Sequence, residues 1–164
     1  MMPELDKLSE EVGRSLCSSG LTISCAESCT GGLLTSILTD VPGSSSYVMG
    51  GIVSYSNDVK SNLLHISDDT LSVYGAVSAE TAREMAEGIR NLIQTDIGVG
   101  ITGVAGPGGG SREKPVGLVY IALSCRQHIT VIENYFSGTR TENKRMAVEK
   151  ALIMIQDEIR SIDG

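Results

Sequence analysis

Apolar side chains recur along this chain with two periods, and the switches between them mark its elements. Leu5, Leu8, Val12 and Leu16 fall at helical spacing and Gly20 ends the run, which predicts an opening helix. "LTISCA" alternates apolar and polar positions and predicts a strand. "GGLLTSILTD" places Leu33, Leu34, Ile37 and Leu38 on one helical face, and "VPGSSSY" is a loop. "MGGIVSYS" predicts a second strand. "NDVKSNLLHI" predicts a helix with Ser56 as its N-cap and Val59, Leu63 and Ile66 as its buried stripe. "SDDTLSVYG" is a short helix closed by Gly75. Ser78 caps a longer one whose inward face is Ala82, Met85, Ala86, Ile89 and Ile93.

In the second half the period changes. "DIGVGIT" is a strand with glycine at alternate positions, so one face is nearly bare and suits the close approach of backbone or ligand. A long loop, "GVAGPGGGSREKPV", follows. "GLVYIALSC" and "HITVIENYF" form a hairpin across Arg126 and Gln127. A last helix, from about Thr141, turns Val148, Ala151, Leu152, Ile155 and Ile159 inward. Helix and strand alternate to about residue 102 and then two strands pair. The pattern predicts one α/β domain over residues 1–164, its sheet parallel in part with an antiparallel edge.

Composition narrows the function. The 164 residues include 19 glycines and a single Phe, with no Trp, so the core is aliphatic. A net charge of −7 opposes nucleic-acid binding. No run approaches the roughly 20 apolar residues of a membrane span. "MMPELDKLSEEVGRSL" has no signal-peptide core, which favours the cytoplasm. Cys17, Cys25, Cys29 and Cys125 show neither zinc spacing nor a disulfide framework, and His65 and His128 stand apart. Small buried thiols in a reducing compartment are the reading that follows.

Four stretches carry candidate chemistry. "SCAESCTGG" joins a strand to a helix, where free N–H groups could hold an oxyanion beside Ser28. Equally, Ser28 or Thr30 could simply cap that helix. Cys29 is the rival nucleophile, but no base accompanies it. In "SYSNDVKSN", Tyr55 and Lys60 reach the same strand-end crevice if the strands are neighbours. A lysine desolvated there could serve as a base; otherwise it is a solvated helix lysine. "GVGITG" matches G-x-G-x-x-G in form only, because no helix follows it. "GPGGGS" offers bare backbone donors for a phosphate, or is an ordinary surface loop. Arg140, Lys144 and Arg145 crowd a helix start where cations oppose the dipole, so an anion binds between them or acids downstream pair with them.

Together, "AESCTGG", "YSNDVK", "YGAVSAETAREMA", "GITGVAGPGGGSREKPVG" and "FSGTR" resemble the C-terminal domain of the competence/damage-inducible protein CinA, the nicotinamide-nucleotide amidohydrolase family. The resemblance runs from about residue 5 to 160. It implies a three-layer α/β/α sandwich with a mixed, largely parallel sheet, usually dimeric. It also implies hydrolysis of nicotinamide mononucleotide to nicotinate mononucleotide and ammonia, in pyridine-nucleotide salvage. The implied chemistry is similar to that of serine β-lactamases: Ser28 as nucleophile, with Lys60 and Tyr55 assisting, and no metal or organic cofactor. Thr102 and Arg140 match substrate-holding positions. Thr30, Gly31 and Gly32 would offer oxyanion donors at the helix start, and Gly106, Gly108 and Gly109 phosphate donors. The resemblance also admits a non-catalytic nucleotide-binding or regulatory module. The large N-terminal domain of many CinA proteins has no counterpart in this sequence.

Overall fold

The computed structural model describes residues 2–164. Helix α1 (Pro3–Ser19) opens with proline at its start and closes on Gly20 in the left-handed conformation, whose N–H donates to the last carbonyls. Strand β1 (Ile23–Glu27) follows, then α2 (Leu33–Thr39), β2 (Val48–Val53), α3 (Asn57–Leu64), α4 (Asp68–Val73) and α5 (Ala79–Ile93). Strands β3 (Ile97–Gly103), β4 (Leu118–Ser124) and β5 (Ile129–Tyr135) lead into the long α6 (Arg140–Asp163). Ser56 and Ser78 cap α3 and α5 as their sequence predicts, accepting from the Val59 and Thr81 N–H groups. None of the helices described is long and apolar enough to cross a membrane.

The five strands form one mixed sheet in the order β2-β1-β3-β4-β5. β1 lies between β2 and β3 and runs parallel to both, while β3–β4 and β4–β5 are antiparallel. Helices α1, α2 and α6 cover one face. Val12, Leu16, Leu34, Leu38, Val148, Leu152 and Ile155 pack there on Ile23, Cys25, Val99, Ile101 and Ile121. Helix α5 covers the other face through Met85 and Ile89 against Ala26, and through Ala82 and Ala86 against Ala122. The result is the three-layer α/β/α sandwich.

The bare face of β3 serves helix packing. A Cβ on Gly98 would lie 2.3 Å from the Ala86 carbonyl, and one on Gly100 2.5 Å from that of Ala82. The two glycines therefore let α5 lie directly on the strand. No helix follows Gly103, so the G-x-G-x-x-G match has no dinucleotide-binding context.

The stripe predicted for α3 needs correction. Ile66 is buried as predicted, although it lies beyond the helix end, but Leu63 is exposed and Val59 is only half-buried. The residues that α3 buries are Lys60 and Leu64. The helix is rotated by about one residue from the best apolar face because its inward position is occupied by an amine.

Candidate active site

β1 ends at the C-terminal edge of the sheet, between two parallel neighbours, the usual place for a ligand crevice in an open α/β sheet. The Ser28 N–H donates to the Ile101 carbonyl at 2.9 Å, continuing the β1–β3 pairing beyond Glu27. On the other side, the Ser54 N–H donates to the Glu27 carbonyl at 2.7 Å, continuing β1–β2. The backbones of Ser28 and Ser54 are thus fixed side by side. Gly31 and Gly32 then take φ of +62° and +95°, which turns the chain into α2.

Neither Ser28 nor Thr30 caps that helix. The cap comes from Glu27, which is 1% exposed. Its carboxylate accepts from the Leu34 N–H at 2.9 Å, the Thr35 N–H at 3.0 Å and the Thr35 hydroxyl at 2.7 Å. A buried anion at a helix start is favoured by the dipole and by these donors. Glu27→Ala would strand two N–H groups and should lower stability by about 2–4 kcal/mol. Urea unfolding would measure this, and an unchanged midpoint would contradict the assignment.

Lys60 projects from the first turns of α3 and is 1% exposed. Its Nζ lies 3.1 Å from Ser28 Oγ and donates to the Ser54 carbonyl at 2.6 Å. No carboxylate pairs with it among the described residues. Burial pushes the amine below its ordinary value of 10.5, because the charged form loses its water. The Cys29 thiol itself is pushed up to about 12, chiefly by burial. It stays protonated and unreactive near neutral pH. Of the two candidate nucleophiles, only Ser28 has a base in reach.

Tyr55 is 62% exposed, and its hydroxyl accepts from Arg140 Nη2 at 3.0 Å. Arg140 Nη1 donates to the Gly106 carbonyl at 2.7 Å. The Asn143 amide, fully buried one turn further along α6, donates to the Ala105 carbonyl at 3.0 Å and accepts from the Gly138 N–H. The start of α6 therefore anchors the glycine-rich loop against Tyr55. The capping box of Thr139 and Glu142 completes that helix start. The Thr102 hydroxyl donates to the Ala76 carbonyl at 2.7 Å, pinning the segment before α5 over the crevice.

Ser28, Tyr55, Lys60, Thr102, Gly106, Gly108, Gly109 and Arg140 line one cavity of about 320 Å³. Thr30, Gly31 and Gly32 do not line it. Thr30 is fully buried, and its hydroxyl has no partner among the described residues. The N–H groups that begin α2 face the Glu27 carboxylate rather than the cavity. Arg140 and Lys144, like Lys60, pair with no carboxylate among the described residues. Lys144 Nζ stands over the turn, 3.5 Å from where a Gly31 Cβ would be. Arg140, a cation without a carboxylate partner in the lining of this cavity, suits an anionic ligand.

Glu27, Ser54 and Asn143 escape a sequence reading. Glu27 is visible in "AES" as a carboxylate at the strand-to-helix junction. Asn143 is visible only as a polar residue at an inward position of α6. Ser54 acts through its backbone and leaves no signal.

Residues 5–159 match the family model of the CinA C-terminal domain. A protein of Moorella thermoacetica, provisionally named competence-damage inducible, is 46% identical over 95% of this chain and 38% of its own length. A CinA-like protein of Leptospira borgpetersenii is 45% identical over 92% of this chain and 36% of its own. The chain thus spans little more than a third of the curated relatives it matches. The crystal structure of the competence/damage inducible protein CihA from Agrobacterium tumefaciens superposes with a TM-score of 0.91 at 41% identity. That match covers 93% of this chain and 94% of the other.

Proposed function

Because this chain belongs to the CinA C-terminal domain family, we propose that it hydrolyses the carboxamide of nicotinamide mononucleotide through an ester on Ser28. The observation that carries the reading is the 3.1 Å approach of a buried, carboxylate-free Lys60 amine to the Ser28 hydroxyl. A neutral amine at that distance is a general base for a serine that is inert without one.

Lys60 takes the Ser28 proton as Oγ bonds to the carboxamide carbon. The Ser54 carbonyl holds Nζ in place and leaves its lone pair for the hydroxyl. The proton passes to the departing nitrogen, the C–N bond breaks and ammonia leaves. The nicotinoyl ester on Ser28 is then cleaved by water, which returns the serine and gives nicotinate mononucleotide. The cationic pyridinium withdraws electrons from the amide and eases attack. Tyr55, held by Arg140, borders the path and polarises the leaving group.

The oxyanion donors differ from the expectation of a helix start, since Glu27 occupies those of α2. The N–H of Cys29, which lines the cavity in the turn beside the nucleophile, makes no hydrogen bond to another residue among those described. It is the donor we assign.

The substrate phosphate lies between Arg140 and the backbone of Gly106, Gly108 and Gly109. Ammonia release from nicotinamide mononucleotide by the purified protein tests the activity. Arg140→Ala tests the pose. One charge-assisted hydrogen bond contributes about 1.5–3 kcal/mol, so kcat/KM for the mononucleotide should fall roughly 10- to 150-fold. Nicotinamide riboside, which has no phosphate, should react poorly with both proteins and lose far less. Equal losses on the two substrates would show that Arg140 supports the fold or the chemistry instead.

A further inference from the structure

At the end of the sheet away from Ser28, the β4–β5 turn meets the last turns of α6. Ser124 pairs with Gly98 at the start of β3, whereas Ser28 bonds to Ile101 further along it. The Cys125 N–H donates to the His128 carbonyl at 3.0 Å, which closes the turn and brings both side chains to one side. The spacing is Cys-x2-His, and Glu158 arrives from α6.

The Cys125 thiol donates to Glu158 Oε1 at 3.2 Å and lies 3.6 Å from His128 Nδ1. His128 Nε2 lies 3.0 Å from Glu158 Oε2. One ligand atom from each residue falls within 4.8 Å of the others. Cys125 is 7% exposed and Glu158 8%, while the imidazole opens to solvent. His128 is thus not isolated, as its sequence position suggests. Glu158 is a nearly buried carboxylate whose recorded donors are a thiol and an imidazole, and a thiol is a weak donor. A metal ion would take the place of the protons that these groups share with the carboxylate.

We propose that Cys125, His128 and Glu158 bind one thiophilic divalent cation of the zinc class, with water completing its coordination. Tetrahedral zinc sites have bonds of about 2.3 Å to sulfur and about 2.0–2.2 Å to nitrogen or oxygen, which places ligand atoms roughly 3.3–3.6 Å apart. The 3.2 and 3.6 Å separations of Sγ from Oε1 and Nδ1 are close to those edges, and all three ligand atoms already lie within 4.8 Å of one another. A thiolate and an imidazole select zinc-like ions over magnesium or calcium. The charge also balances, since thiolate, neutral imidazole, carboxylate and a divalent ion sum to zero. Binding releases the thiol proton. The ion would tie the β4–β5 turn to α6 and takes no part at Ser28.

The test is a cobalt titration of the chelator-stripped full chain, followed by displacement with zinc. The expected result is one equivalent of Co²⁺ with thiolate-to-cobalt charge-transfer absorption, displaced by zinc, and a Tm that rises with zinc. Cys17→Ser, at the exposed thiol, keeps the absorption, and Cys125→Ser abolishes it. His128→Ala changes a solvent-facing side chain, so it should fold and still bind more than about 100-fold more weakly, beyond the roughly 10–100-fold that loss of an outer-shell partner costs. Ammonia release is unaffected in His128→Ala, which keeps this test separate from the amidase reading. An absent absorption in the wild type, or one that survives Cys125→Ser, would overturn the proposal.

Discussion

Ser28→Ala should release no ammonia from nicotinamide mononucleotide above background, a loss on the order of 10⁴-fold or more in kcat. Among the described residues Ser28 Oγ is the only hydroxyl hydrogen-bonded to the Lys60 amine, and the adjacent thiol is held protonated by burial. The backbone bond from Ser28 N–H to Ile101 is untouched by the change, so far-UV circular dichroism and Tm should stay as in the wild type. Cys29→Ala is the paired control. It removes a small buried side chain beside the nucleophile and should keep activity within about tenfold. If Cys29→Ala were the inactive one, the thiol would be the nucleophile and the assignment would fail.

Lys60→Met should separate catalysis from stability. Activity falls about 10²–10⁴-fold in kcat, with KM little changed, because a base acts mainly in the transition state. Stability moves the other way, rising by roughly 1–2 kcal/mol at neutral pH as a desolvated amine gives way to an apolar chain of similar length. The folded-state value of Lys60 lies below 10.5, so between the two values the unfolded chain binds more protons and wild-type stability rises with pH. Below the folded value both states are protonated and the full penalty applies. The advantage of Lys60→Met should therefore shrink as pH climbs toward 10.5. Wild-type kcat/KM should also rise with pH along a limb centred below that value. Paired thermal melts and rates across pH would show both. A variant less stable than wild type at neutral pH would mean that the amine's bond to the Ser54 carbonyl outweighs its desolvation.

Lys60 also marks where the sequence pattern misleads. Apolar periodicity picks Val59, Leu63 and Ile66 as the inner face of α3, because that face is the most hydrophobic. Ile66 is indeed buried just past the helix end, but the helix itself points an amine inward and leaves Leu63 in solvent. A local conflict of this kind is what a reactive group in a core produces. Elsewhere the pattern and the structure agree for the same physical reasons. Gly20 stops α1, Ser56 and Ser78 cap their helices, and the aliphatic faces of α1, α5 and α6 meet the sheet. Long-range partnerships are not local signals and stay hidden. The reach of Glu27 to the start of α2, the grip of Asn143 on Ala105 and the meeting of Cys125 and His128 with Glu158 all depend on how distant turns pack. The bare face of β3 could be read from sequence as a close approach, but only the packed α5 shows that the visitor is a helix.

The central claim is that the substrate's acyl group resides on Ser28 during turnover. Acid-quenching the protein while it consumes nicotinamide mononucleotide, then digesting it and weighing the peptides, observes this directly. The account predicts that the peptide containing Ser28 gains the mass of the nicotinoyl mononucleotide, with the ester mapped to Ser28 and absent from Ser28→Ala. Ammonia release at wild-type rates from Ser28→Ala, or an adduct mapped to Cys29, would contradict it.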